Sequence, residues 1–266
     1  MPFAVERQDG GVAILTMSLE VSRNTFNPEN FQPLVRQLES LMEDSSCRAV
    51  IITGSGRFFS AGGPIDEFAE AIDNGTIGDM VSEMTRSLHS LILKIRASEK
   101  VFIAAINGAA AGGGLGLALS TDYRISSEEA KIAAAFFGLG ASPDGGTTWL
   151  LPRLVGSQRA KKFFFNNEVW SAGEALEFGA IDEVSPSNEL LERSIKIAKD
   201  WGKWSVNSRR SAKQLIDAST STFFETQLEF ERALMISSAQ SPDFAEGVAS
   251  FMEKREPKFS GETEDE

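Results

Sequence analysis

The sequence predicts an α/β protein built from parallel strand–helix units, followed by a helical C-terminal region. Three observations lead there. Short apolar runs alternate with amphipathic stretches through about residue 187. Two of those runs pass directly into glycine-rich turns. From about Leu190 the strand signals stop and helical periodicity takes over.

Val12 to Met17 (VAILTM) reads as a strand after the Asp9-Gly10-Gly11 turn. Asn27-Pro28 opens a helix whose apolar residues Phe31, Leu34, Val35, Leu38, Leu41 and Met42 share one face. Ala49 to Thr53 is a buried strand, Gly54 to Gly63 is loop-rich, and Asp66 to Ile72 begins another helix. Ser82 to Arg96 is amphipathic through Met84, Leu88, Leu91, Ile92 and Ile95. Val101 to Ile106 is a second buried strand, running through Asn107-Gly108 into a small-residue helix. Asp122 to Ser126 is a third, and Ile181 to Val184 another. Helices are expected to start within Gly145 to Leu154 and Ser171 to Gly179. The expected division is a core over 1–187 holding the ligand site, a helical subdomain over 188–259, and an acidic tail over 260–266.

Composition narrows the function. The net charge of -12 opposes nucleic-acid binding, which needs a positive footprint to displace counterions. A single cysteine, Cys47, forms no intrachain disulfide and suits a reducing compartment. No His/Cys/Asp cluster has metal-ligand spacing, so no metal is expected. The most apolar stretch, Val101 to Leu119, is glycine-rich and interrupted by Asn107, so it is not read as a membrane span. The first residues lack a charged-then-apolar signal pattern, and a cytoplasmic protein is expected.

The two glycine turns carry the chemistry. Stabilising an enolate needs two donors aimed at one carbonyl oxygen, and glycine lets backbone approach a ligand closely. The first turn is Phe59-Ser60-Ala61-Gly62-Gly63; the second is Ala111-Gly112-Gly113-Gly114-Leu115-Gly116, at a helix start whose dipole favours negative charge. The second turn is not a dinucleotide fingerprint, because Leu117 stands where the third glycine belongs.

Five segments then match one family in order. FFSAGGPIDEF resembles the first signature of the enoyl-CoA hydratase/isomerase (crotonase) superfamily, and KVFIAAINGAAAGGGLGLALSTDYRI its central one. GLGASPDGGTTWLLPRLVG, SAGEALEFGAIDEV and EGVASFMEKREPKF are similar to the segments that follow. The resemblance covers about Val12 to Phe259. It implies a crotonase-like ββα spiral core with a helical C-terminal trimerisation region, and a homotrimer or dimer of trimers. It implies an acyl-CoA substrate that itself carries the coenzyme A, with no permanently bound cofactor. The oxyanion donors fall on the N–H groups of Gly63 and Gly113. The pantetheine arm would run along Ala61, Gly62, Gly63, Pro64 and Ile65, with Arg23 near the CoA phosphates. Lys254, Arg255 and Lys258 would reach those phosphates from a neighbouring subunit.

The resemblance also has departures. Hydratases of the family use two glutamates, and the matching positions here are Gly116 and Phe136. The aspartate usual after the first turn is replaced by Pro64. One carboxylate remains, Asp144 in Ser142-Pro143-Asp144-Gly145-Gly146, where isomerases of the family, including phenylacetate ring isomerases, place a proton shuttle. Asp144 is also a possible helix N-cap for GGTTWLL. The lone histidine, His89, is placed as in the 4-chlorobenzoyl-CoA dehalogenase branch, whose histidine activates water and whose aspartate attacks an aromatic ring. The tryptophan of that branch corresponds to Phe136, which donates no hydrogen bond. The expected activity is enoyl-CoA double-bond or ring isomerisation with Asp144 as acid/base. The alternatives are hydration, dehalogenase-like hydrolysis through Asp144 and His89, and acyl-CoA binding without catalysis.

Overall fold

The computed structural model describes residues 3–19 and 23–259, so the expected acidic tail lies outside the described residues. One sheet carries the long strands. β1 (Phe3–Gln8) pairs antiparallel with β2 (Val12–Met17) across Gly10-Gly11, both at positive φ. β2 pairs in parallel with β3 (Ala49–Gly54), β3 with β5 (Val101–Ile106), β5 with β7 (Tyr123–Ser127), and β7 with β10 (Glu183–Ser185). A second sheet holds short strands in the order β4 (Phe58–Ser60), β6 (Ala109–Ala111), β8 (Lys131–Ala133) and β9 (Val169–Ser171). The pairs β4–β6 and β6–β8 are parallel, and β8–β9 is antiparallel. β3 is followed by β4, β5 by β6, and β7 by β8, so each such turn of chain adds one strand to each sheet before entering a helix. That is the ββα spiral.

The continuous apolar character of β2, β3 and β5 follows from cover on both faces. On one face Leu15, Val50, Ile52, Phe102 and Ala104 meet α1 (Pro28–Glu43) and α3 (Ile77–Ala97), through Leu34, Leu38 and Leu41 of the first and Leu88, Leu91 and Ile95 of the second. Asn27 caps α1 reciprocally with Asn30. On the other face Ile14, Ile51, Ile103 and Ile125 meet Leu190, Ile197 and Ala198 of α8 (Leu190–Gly202). The C-terminal helices therefore begin by covering the sheet.

α9 (Val206–Ser219) is fastened by Lys213. Its Nζ donates to Ile95 O (3.1 Å), Lys100 O (3.2 Å) and Asp122 Oδ2 (3.0 Å), and Asp122 Oδ2 also accepts from Phe102 N–H (2.8 Å). Burial pushes the Asp122 carboxyl up and the Lys213 ammonium down, while each one's charge partly offsets the other's shift. α10 (Phe224–Ala239) and α11 (Pro242–Glu253) are the last described helices. They leave large apolar groups in water: Phe223 is 84% exposed, Phe251 81% and Met252 75%. A cleft of about 400 Å³ lies here, lined in part by Phe244, Val248, Phe251, Met252 and Phe259. No described helix is long and apolar enough to cross a membrane.

Candidate active site

Topology brings the two glycine turns together. β4 and β6 are parallel neighbours, so the turns leaving their C-terminal ends emerge side by side. A Cβ built on Gly62 would lie 2.8 Å from Ala111 O and 2.9 Å from Gly113 N, so only glycine allows this approach. Gly62 also has φ +83°, a region that side chains disfavour. In the first turn, Ala61 N–H donates to Arg23 O (3.0 Å) and Gly62 N–H to Ser60 Oγ (3.1 Å). The N–H of Gly63 is left without a hydrogen-bond partner among the described residues. Gly113 is the first residue of α4 (Gly113–Leu119), so its N–H has no intrahelical partner.

Asp144 reaches the second turn through its neighbour. A Cβ on Gly145 would sit 3.3 Å from Gly116 Cα and 3.5 Å from Gly113 Cα, so the Asp144–Gly145 backbone rests on the first turn of α4. Asp144 does not cap the next helix. α5 (Thr147–Val155) begins after Gly145 and Gly146, both left-handed, and Gly146 occupies the N-cap. Only the Asp144 carbonyl serves the turn, accepting from Thr147 N–H (3.3 Å) and Oγ1 (2.8 Å). Its carboxylate goes elsewhere: Oδ1 is 2.6 Å from Nε2 of His89, on α3. Leu88, beside His89, lies against both Gly113 and Gly145. The structure thus gathers Gly63, Gly113, Asp144 and His89 at one end of the short-strand sheet.

The remaining positions surround this group. Pro64 is buried and precedes α2 (Ile65–Asp73), whose first residue Ile65 is half exposed. Phe68 of that helix closes over Gly63, where a Cβ would come within 2.6 Å of its ring. Arg23 is exposed, in left-handed backbone, and its carbonyl anchors Ala61. Phe136 is buried, with its ring about one van der Waals contact from the Cβ position of Gly112 (4.0 Å). At Gly116 there is no room for a side chain, because a Cβ would overlap Gly145 O. Arg255 is committed within its own chain. It forks onto both oxygens of Glu246 (2.6 and 2.9 Å) and bonds Glu253 (2.6 Å). No cluster of His, Cys, Asp and Glu among the described residues is grouped to hold a metal ion.

Asn24 was not singled out from the sequence, yet it is 1% exposed beside the first turn. The signal was slight: an Asn in a polar, turn-forming run, a residue type that tolerates left-handed backbone.

Comparison with known proteins agrees with this architecture. Residues 7–262 match the family model described as enoyl-CoA hydratase/isomerase. The chain is 33% identical over 261 residues to 1,2-epoxyphenylacetyl-CoA isomerase of Escherichia coli (strain K12), covering 98% of this chain and 99% of the relative. It is 32% identical over 250 residues to 2,3-dehydroadipyl-CoA hydratase of the same strain, covering 94% and 95%. The crystal structure of an enoyl-CoA hydratase from Bacillus anthracis superposes with a TM-score of 0.91 at 30% identity, over 98% of this chain and all (100%) of that one. The chain belongs to the enoyl-CoA hydratase/isomerase family.

Proposed function

We propose that the protein isomerises the double bond of an unsaturated acyl-CoA. The thioester oxygen accepts hydrogen bonds from the N–H groups of Gly63 and Gly113. The Asp144 carboxylate takes a proton from C2 of a 3-enoyl thioester, the electron pair moves onto the thioester oxygen as an enolate, and the same proton returns at C4. Each donor contributes about 3–4 kcal/mol to that enolate-like transition state. One observation supports the reading: Gly145 rests on Gly113 and Gly116, so Asp144 adjoins the second turn, while Gly116 itself leaves no space for a carboxylate side chain. A single base that shuttles one proton suits isomerisation, whereas addition of water calls for paired acid and base.

Arg23 and Ala61 to Ile65 are assigned to the CoA arm, and coenzyme A enters only with the substrate. The exposed Phe223, Phe251 and Met252 favour assembly into a homo-oligomer, a trimer or a dimer of trimers. Light scattering at micromolar concentration that gives a monomer mass would overturn that assembly.

The test is incubation with a short 3-enoyl-CoA, following conjugated-thioester absorbance and product mass. Rising absorbance at unchanged mass, lost in Asp144→Asn, is expected. Turnover that survives Asp144→Asn would remove Asp144 as the base.

The 2.6 Å contact between His89 and Asp144 favours a second reading, hydrolytic substitution on an aromatic acyl-CoA. Asp144 would attack the ring carbon, displacing a halide. Water activated by His89 would then cleave the resulting aryl ester. A covalent aryl adduct on Asp144, caught by mass spectrometry of the quenched enzyme, is its signature.

A further inference from the structure

The first glycine turn is held from outside by a clamp, the segment Arg23 to Phe26. Residues 23–26 run beside residues 60–62 and hold them by three hydrogen bonds. Ala61 N–H donates to Arg23 O (3.0 Å), and Phe26 N–H donates to Gly62 O (2.8 Å). Ser60 Oγ donates to Asn24 O (2.7 Å). It also accepts from Gly62 N–H (3.1 Å), closing the turn on itself. The Asn24 side chain fixes the clamp to the fold: its Oδ1 accepts from Leu19 N–H (2.7 Å), and its Nδ2 donates to Ser55 O (3.2 Å) and Phe58 O (2.8 Å). Asn24 is 1% exposed and Ser60 0%.

The consequence for Gly63 follows from peptide planarity. Gly62 C=O and Gly63 N–H belong to one rigid plane and point in opposite directions. Holding Gly62 O on Phe26 N–H therefore sets where Gly63 N–H points. The hold matters because a Gly-Gly peptide has wide rotational freedom and no side chain to restrain it. A bond to the carbonyl also polarises the peptide and strengthens its N–H as a donor.

We propose that Asn24 and Ser60 are positioning residues that orient the Gly63 N–H donor through the Phe26–Gly62 hydrogen bond. The proposal rests on the reading in which Gly63 and Gly113 receive the thioester oxygen, and it adds two side chains that touch no substrate. Their loss affects the enolate more than the bound ground state, so it falls on kcat rather than KM.

The experiment measures the infrared carbonyl stretch of a carbonyl-¹³C-labelled short 2-enoyl-CoA bound to the full-length protein, for wild type, Ser60→Ala and Asn24→Gly. Glycine at position 24 keeps the left-handed backbone while removing the amide bonds. In wild type the band moves to lower frequency on binding. In the variants that displacement shrinks and kcat falls about 10- to 100-fold, short of the 100-fold or more for outright loss of a donor, while KM changes little. A folded variant of either kind that keeps the full displacement and full kcat overturns the clamp. A wild-type protein that binds the ester without any displacement fails earlier, overturning the Gly63–Gly113 oxyanion reading and the clamp with it. Two variants are used because Ser60 packs against Gly114, where a Cβ would overlap Ser60 O, and either one that folds decides the matter.

Discussion

His89 Nε2 lies 2.6 Å from Asp144 Oδ1, joining the middle of α3 to the loop ahead of α5. The two side chains are 50% and 29% exposed, so the pair contributes no more than about 1 kcal/mol to stability. On the proposed isomerisation its effect would be orientation, with Oδ1 held by His89 and Oδ2 left to meet the substrate. His89→Ala is therefore expected to melt close to wild type and to lose about tenfold in kcat. Asp144→Asn, which removes the proton acceptor, loses about a thousandfold. Paired melting curves and steady-state kinetics on a confirmed 3-enoyl-CoA check this. Equal losses in the two variants would favour the hydrolytic reading, in which His89 is itself a base.

The contact between Gly116 and Gly145 yields a second prediction. The position matching a hydratase glutamate is closed by backbone, because a Cβ on Gly116 would overlap Gly145 O. Gly116→Glu should therefore fail to confer hydration, and even Gly116→Ala should destabilise by about 1–3 kcal/mol through overpacking. Denaturant midpoints give the second quantity. Loss of 2-enoyl-CoA absorbance gives the first, and hydration appearing in Gly116→Glu would show that the loop yields.

Removing Lys213 isolates a buried charge. Lys213→Met leaves Asp122 with the Phe102 N–H alone, and an unpaired buried carboxylate costs about 3 kcal/mol. The sign with pH follows from losing Lys213, whose charge and hydrogen bond oppose the burial-driven upward shift of Asp122, so the variant's carboxyl is raised further. A carboxyl whose folded pKa lies above its unfolded one favours folding below the unfolded value, and that advantage is lost as pH rises through the folded value. The variant's deficit relative to wild type should therefore be large at pH 7 and smaller near pH 4. Urea titrations at the two pH values measure it, and a deficit independent of pH would mean that lost packing, not charge, is responsible.

The parts legible in the sequence are those that depend on local pattern. The α1 face shows in its helical periodicity, the buried strands at Ala49 and Val101 in short unbroken apolar runs, and the glycine turns stand out beside those strands. β1 escaped because FAVERQ mixes charge into an edge strand that is only half buried. β10 forms at Glu183–Ser185, shifted from the apolar run at Ile181, because pairing with β7 rather than apolarity sets its place. The helix expected from Gly145 starts at Thr147, since two left-handed glycines turn the chain first. The His89–Asp144 contact spans 55 residues, and the Gly116–Gly145 exclusion exists only once two loops are stacked. Neither has a local signature.

Glu246 gives the last prediction. Its carboxylate takes the Arg255 fork and also accepts from Lys258 N–H (2.7 Å), folding residues 254–258 back onto α11. The Arg255 hydrogen bonds, followed by the Lys258 N–H, hold its pKa down at about 2, against an ordinary 4.5. A depressed carboxyl stabilises the docked segment fully above its undocked pKa and loses that contribution as pH falls through the docked one. The segment should stay in place at pH 5 and release only near pH 2. Carboxyl ¹³C NMR of Glu246 is expected to show a midpoint near 2 in wild type and a return toward 4.5 in Arg255→Ala. An ordinary midpoint in wild type would mean that the fork is not formed in solution. The Arg255 guanidinium, 38% exposed, would then be open to another acceptor.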